Sequence, residues 1–160
     1  MDADYFRLLY DFGWWARDRL FAAAEGMSDD EWRRPNGFTY GSLAGILRHT
    51  LSAESVWGER FRTRELFRPG PAPDVEPGID ELRNAWQQEE ARMRPWLLQL
   101  QDADLHSTIP TRDGQVEIWG SLAHVTYHGM QHRSEAAEAL TMIVRSPGNL
   151  DLGIYLSERG

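Results

Sequence analysis

Four long stretches of this chain repeat their apolar residues at the spacing of an α-helix, and this pattern restricts the fold more than any other feature. The stretches cover residues 4–25, 42–67, 79–101 and 119–143. Pro95 falls inside the third stretch and should kink or split that helix. A chain of 160 residues fits one domain, spanning residues 1–160. The pattern predicts an all-α fold, an up-down four-helix bundle.

Turn signals separate the long stretches. Ser28 and Glu31 form an S-x-x-E capping box, which opens a short helical turn. Residues 69–78, PGPAPDVEPG, contain four prolines and are predicted to be a surface connector. The segment STIPTRDGQVEIW alternates weakly around Asp113-Gly114, which predicts a small hairpin or irregular loop before the last long helix. The LDLGIYL tail should pack back onto the bundle.

The composition excludes several classes of function. The chain has no cysteine, so it offers neither a thiolate nucleophile nor a Cys-ligated metal site. It also has no lysine, which excludes a Schiff-base mechanism. The formal net charge is -8, and the densest arginine run, within residues 60–68, is interrupted by Glu65. This run predicts a solvated helix face, and no nucleic-acid partner is expected.

No membrane partner is expected either, because no apolar run reaches the roughly 18 residues that a membrane helix needs. The start of the chain, MDADYFRLL, is acidic and lacks the basic region of a secretory signal. We therefore expect a cytoplasmic protein.

Three of the five histidines recur at four-residue intervals in HVTYHGMQHRSE, at His124, His128 and His132. Residues four apart on a helix lie about 40° apart around its axis, so two neighbouring imidazoles can converge on one metal ion. His124 could replace one of the pair, but His124 and His132 are separated by about 80°, too far to converge easily on the same ion. Spacing alone leaves two interpretations open, a metal site or polar residues exposed on a helix surface.

A metal site would need a third ligand from another element. His49 is the best candidate, because it lies at the edge of an apolar stripe, where a lone histidine would otherwise need a hydrogen-bond partner. His106 falls in a polar segment and is expected to be exposed. A di-iron carboxylate site is excluded, because no histidine has a Glu three residues before it.

Three segments of the chain resemble signatures of the DinB / YfiT-like family of metal-dependent enzymes, which share a four-helix bundle. The run HVTYHGMQHR is similar to its most specific motif, and GSLAGILRHTLSAESVW to its second-helix signature. LLYDFGWWARDRLF resembles the first-helix segment, with Arg17 where Asn is usual. The resemblance covers nearly the whole chain. It implies that His49, His128 and His132 ligate one divalent metal ion and that His124 does not.

The resemblance also implies a reaction class. Characterised relatives include S-transferases and isomerases that use bacillithiol or mycothiol, so we expect a low-molecular-weight thiol as cosubstrate and an electrophile as substrate. Zinc is the default metal, with nickel or iron as alternatives, because imidazole suits all of them. A homodimer is expected, because seven tryptophans and an apolar tail are many for a chain of this size, and the family resemblance points the same way. Two other interpretations remain, a non-catalytic metal-binding bundle of the stress response and a metal-dependent hydrolase.

Glu135 is the candidate catalytic residue. It lies about one turn past His132, where the family usually has Gln, and Ser134 replaces the usual Gly before it. Glu135 would act as general base, orient an imidazole or join the metal as a fourth ligand.

Two further charged residues lie near the histidines in the sequence. Arg133 points about 100° away from the histidine stripe and would bind either a carboxylate on a neighbouring helix or the substrate. Glu54 lies about 140° around the helix from His49, so it should not ligate the metal. We expect it to hydrogen-bond toward Trp15 or Arg17.

Overall fold

A computed structural model describes residues 2–71 and 73–160, and within them the chain forms six helices and one two-stranded hairpin. The helices are α1 (Ala3–Ala23), α2 (Asp29–Trp32), α3 (Leu43–Thr63), α4 (Ile79–Gln99), α5 (Ile118–Met142) and α6 (Leu152–Arg159). A short 3₁₀ helix, Asp102–His106, precedes the strands β1 (Thr108–Thr111) and β2 (Gly114–Glu117). In these ranges no helix combines the length and the apolar character needed to cross a membrane. The predicted all-α class, with a small hairpin before the last long helix, is confirmed.

Side-chain caps fix the beginnings of four helices, among them α2 and α3. Ser28 and Glu31 form the predicted capping box at α2, with each side chain bonded to the backbone of the other residue. At α3, the hydroxyl of Ser42 accepts a hydrogen bond from the N–H of Gly45 at 3.0 Å. Such bonds satisfy N–H groups that have no partner within the first turn of a helix. The cap at Ser42 therefore sets the start of the helix that carries His49.

Two long helices differ from their predicted extents. α3 ends at Thr63 rather than near Phe67, because Arg64 adopts the left-handed conformation with a φ of 61°. α4 is continuous through Pro95 to Gln99, so the predicted split does not occur. Pro95 and Ala91 are both exposed, where solvent can hydrogen-bond the Ala91 carbonyl that the proline leaves without an N–H partner.

Two apolar clusters occupy opposite ends of the four long helices. The first joins the ends of α1 and α5 to the beginnings of α3 and α4, through residues such as Leu20, Leu47, Trp86 and Leu140. The second joins the opposite ends of these helices, through residues such as Phe6, Phe61, Met93 and Leu122. α3 and α4 therefore run in the same direction, opposite to α1 and α5. The up-down detail of the prediction is not confirmed, because the segment after α3 returns to the first cluster before α4 begins.

The proline-rich connector makes this return. Residues 69–71 and 73–75 are exposed, as predicted for a surface connector, while Ala72 lies outside the described residues. At its end, the carbonyl of Pro77 accepts a hydrogen bond of 2.9 Å from Nε1 of the buried Trp32. This contact fixes the point from which α4 starts.

The hairpin and the tail complete the fold. Thr111 pairs with Gly114 in the antiparallel ladder, so the two turn residues are Arg112 and Asp113, one position before the predicted Asp113-Gly114 turn. In the tail, Tyr155 of α6 is buried. Its ring centroid is 5.6 Å from that of Phe12 on α1. The tail therefore packs back onto the bundle, as predicted.

Candidate metal centre

Three imidazoles meet between α3 and α5. His49 lies in the first half of α3, and His128 and His132 lie one turn apart on α5. The Nε2 atoms of His49 and His128 are 3.1 Å apart. Each of the three residues offers a ring nitrogen, and these nitrogens all lie within 4.8 Å of one another. The structure thus brings together the three histidines that the sequence singled out, and the group could hold a metal ion.

Helical spacing and close packing produce this convergence. Because His128 and His132 are four residues apart, their rings lie on adjacent turns of one helix face, with centroids 4.5 Å apart. The centroid of His49 is 4.9 Å from that of His132. Ala44 of α3 and Ala136 of α5 are fully buried in the same cluster, and such small side chains permit a short distance between helix axes.

The surroundings favour the neutral form of two of the imidazoles, those of His49 and His128. The pKa of His49 is lowered to about 4, first by partial burial and then by the neighbouring His128 and His132. Burial and the adjacent His132 and His124 also lower the pKa of His128. A histidine must be deprotonated at the ligating nitrogen to bind a metal, so these shifts favour ligation near neutral pH.

The spacing between two of the nitrogens fits the size of a divalent ion. Tetrahedral zinc with Zn–N distances of about 2.0–2.1 Å separates two ligand nitrogens by about 3.3 Å. The Nε2 atoms of His49 and His128 are 3.1 Å apart, close to that separation. Three imidazoles without a fourth protein ligand are typical of catalytic rather than structural zinc. The donor set therefore fits a metal ion that keeps an open coordination position.

Glu135 contacts one of the three rings directly. Nδ1 of His132 is 2.7 Å from Oε2 of Glu135, and an ionised carboxylate only accepts hydrogen bonds, so the Nδ1–H group is the donor. This tautomer leaves Nε2 of His132 free to face the other two imidazoles. Carboxylates commonly fix metal-ligating histidines in this way. The orienting role that the sequence left open for Glu135 thus has a geometric basis.

Tyr40 also belongs to the site, although sequence reasoning missed it. Its ring stacks on His49 with an interplanar angle of 14° and centroids 3.8 Å apart. It meets His132 edge-on at 5.1 Å. Tyr40 lies in the loop before α3, two residues before the helix cap at Ser42. In the sequence, the one signal for its role was its position just before the helix that carries His49. The folded loop then brings the Tyr40 ring against the imidazoles.

The other two histidines lie outside the cluster. His124 is exposed on α5, and its ring meets Trp57 edge-on at 5.6 Å. His106 is 76% exposed, and its Nδ1 is 3.4 Å from a carboxylate oxygen of Glu117. His106 is exposed, as the sequence analysis expected. His124 is not a member of the cluster of potential ligands, although its ring centroid is 5.6 Å from that of His128.

Glu54 and Arg133 bind each other in the interior. Arg133 Nη2 donates to Oε1 of Glu54 at 2.6 Å, so Arg133 does bind a carboxylate on a neighbouring helix. The other carboxylate oxygen of Glu54 accepts from Nε1 of Trp86 at 2.7 Å. The expected partners of Glu54 were wrong, because Trp15 donates to Glu158 in the tail and Arg17 pairs with Asp18 and Glu90. Glu54 is not a member of the cluster of potential ligands, as predicted.

Comparison with known proteins agrees with this geometry. A family model of the DinB superfamily matches residues 15–136, which is more than half of the chain and includes all three clustered histidines. A comparison with curated proteins found no match. The matched range and the histidine cluster together fit a metal-dependent protein. The chain belongs to the DinB superfamily.

Proposed function

We propose that this protein is a metal-dependent enzyme that transfers a low-molecular-weight thiol, of the bacillithiol or mycothiol type, to an electrophilic substrate. His49, His128 and His132 would hold one divalent ion. The observation that carries the proposal is the convergence of three imidazole nitrogens within 4.8 Å between two helices of a DinB-superfamily chain.

The chemistry of the ligands supports a catalytic ion. When bound, zinc, nickel or iron at three neutral imidazoles supplies a Lewis acid that lowers the pKa of a thiol or water at the open position. The chain contains no cysteine, so the thiol would arrive with the cosubstrate. Zinc is our first choice, because a three-histidine set with an open position is typical of it.

The chain's own residues would position the reactants. Glu135 holds His132 in one tautomer and, in our proposal, also accepts the proton of the incoming thiol. Its Oε1 atom is only loosely engaged, at 3.4 Å from Nε2 of Gln131, and so can take this second role. Tyr40 covers one face of His49, and its ring restricts the approach of water from that side.

A screen of metal-loaded protein against pairs of thiols and electrophiles tests this proposal. We expect the electrophile to be consumed only when the thiol is present, and its consumption to stop after chelation. His124→Ala is the active control, and His132→Ala is the inactive variant. Turnover that requires water but no thiol would favour the metal-dependent hydrolase. Metal binding without turnover of any pair would favour the non-catalytic metal-binding protein of the stress response.

We also propose a cytoplasmic homodimer. The seven tryptophans give little support, because all of them are buried or half-buried within one chain. Exposed aromatic rings give more, since Tyr5 of α1 and the neighbouring Tyr127 of α5 are 38% and 68% exposed. Light scattering at micromolar concentration should give twice the chain mass, and a monomer mass would contradict the homodimer.

A further inference from the structure

The ion pair between Glu54 and Arg133 joins the same two helices as the histidine cluster. Glu54 follows His49 by five residues on α3, and Arg133 follows His132 directly on α5. The two side chains are only 10% and 3% exposed, and their charged atoms are 2.6 Å apart. Any movement that separates this pair along the helices would therefore also move His49 relative to His132.

All four long helices meet at this pair. Trp86 of α4 donates to Glu54, and Gly13 of α1 lies against the guanidinium, where a Cβ would be 3.6 Å from Cζ of Arg133. On α5, a Cβ at Gly129 would overlap Nη1 of Arg133 and lie 3.1 Å from Oε1 of Glu54. The Arg133 side chain extends toward the beginning of α5, over the turn that contains this glycine. The pair therefore packs closely against the backbone of α1 and α5 at these two glycines.

Net stabilisation alone is a weak explanation for such a pair. Removing two charges from water carries a penalty that can exceed their mutual attraction, and apolar replacements of buried ion pairs are often neutral or stabilising. The best-attested use of buried charged or polar groups is to select one register between helices. A slide of one residue moves a helix by about 1.5 Å along its axis, enough to break a hydrogen bond of normal length.

We propose that Glu54 and Arg133 are positioning residues of the metal site. Their ion pair fixes the register of α3 against α5, and this register brings the nitrogen of His49 to those of His128 and His132. The inference rests on the proposed function, because it assigns the pair to the histidine cluster that would hold the ion.

A second buried pair provides a matched control. Arg62 of α3 and Glu89 of α4 are 19% and 5% exposed, and their charged atoms are 2.8 Å apart. Glu89 also accepts a hydrogen bond from Arg92, so each of its oxygens has one donor, as in Glu54. A Cβ at Gly58 would overlap Oε1 of Glu89, as a Cβ at Gly129 would overlap Arg133. This second pair joins α3 to α4 and does not include α5.

The test compares Glu54→Gln with Glu89→Gln in the full chain. Each substitution leaves one acceptor oxygen for two donors, so the local loss of hydrogen bonding is matched. The affinity for Co²⁺ and Zn²⁺ is measured by calorimetry and by the visible spectrum of bound Co²⁺. We expect Glu54→Gln to lower the affinity by about tenfold to a hundredfold and to change the Co²⁺ spectrum. Glu89→Gln should leave the affinity and the Co²⁺ spectrum unchanged, even if it lowers the melting temperature by as much as Glu54→Gln does. Equal affinity losses in the two variants, or none in Glu54→Gln, would overturn the proposal.

A metal-free measurement separates this proposal from the proposed function. NMR resonances of the three imidazoles, recorded without metal, should shift in Glu54→Gln and stay in place in Glu89→Gln. The pair Gly129→Ala and Gly58→Ala repeats the comparison if Glu54→Gln does not fold. A wild-type protein that binds no divalent ion would refute the proposed function, and this comparison would still decide whether the pair sets the register. The same shifts in both variants would refute the positioning role.

Discussion

The ring of Tyr40 lies parallel to the imidazole of His49, with an interplanar angle of 14° and centroids 3.8 Å apart. The same tyrosine contacts His132 edge-on. One aromatic side chain thus touches a histidine on each of the two helices that form the cluster. Tyr40 belongs to neither helix, so the loop before α3 takes part in shaping the site.

Replacing Tyr40 by Ala should weaken metal binding by about two- to tenfold, because aromatic pairs contribute roughly 0.5–1.5 kcal/mol beyond the burial of their area. Loss of the ring would let His49 turn away from the other two imidazoles. Titration calorimetry with Zn²⁺ measures the effect. Tyr40→Phe retains the ring and should bind like the wild type. A loss of affinity in Tyr40→Phe equal to that in Tyr40→Ala would mean that the hydroxyl, rather than the stacked ring, matters.

Replacing Glu135 by Gln should slow turnover by roughly a hundredfold while the metal content is retained, because the amide can still accept from Nδ1–H of His132 but cannot take up a proton. The measurement is thiol-dependent turnover alongside elemental analysis. Glu138→Gln is the matched control, since Glu138 lies on the same helix and is exposed. Unchanged turnover in Glu135→Gln would remove this residue from the mechanism.

The stability of the metal-free protein should fall as the pH decreases from about 6.5 to about 4, in part through His49. An unfolded histidine takes up a proton near pH 6.5, whereas burial and the adjacent imidazoles lower the pKa of folded His49 to about 4. Between these values the unfolded chain binds more protons, so protonation favours unfolding. Urea denaturation of His49→Gln across this range should show a smaller loss than the wild type. Equal slopes in the two proteins would contradict the lowered pKa.

Features that depend on local spacing were predictable from the sequence. The four-residue interval between His128 and His132 and the capping box at Ser28 both follow from the geometry of a single helix. The choice of His49 rested on one histidine at the edge of an apolar stripe and on the family resemblance. The structure places His49 beside the other two.

Several features that depend on tertiary packing were not predictable. The parallel direction of α3 and α4 follows from the path of the connector, which no local pattern encodes. The partners of Glu54 were wrong for the same reason, because helical angles around α3 do not reveal that Arg133 and Trp86 face it. Tyr40 was missed because a loop residue has no periodicity that would orient its ring.

The metal content of the purified protein tests the central claim most directly. Elemental analysis of the wild type should find about one divalent ion per chain, removed by chelation, since three clustered imidazoles provide one site. His49→Ala, His128→Ala and His132→Ala should each lose the ion, whereas His124→Ala should retain it, because His124 is exposed outside the cluster. A wild type without metal, or full occupancy in His128→Ala together with loss in His124→Ala, would contradict the account.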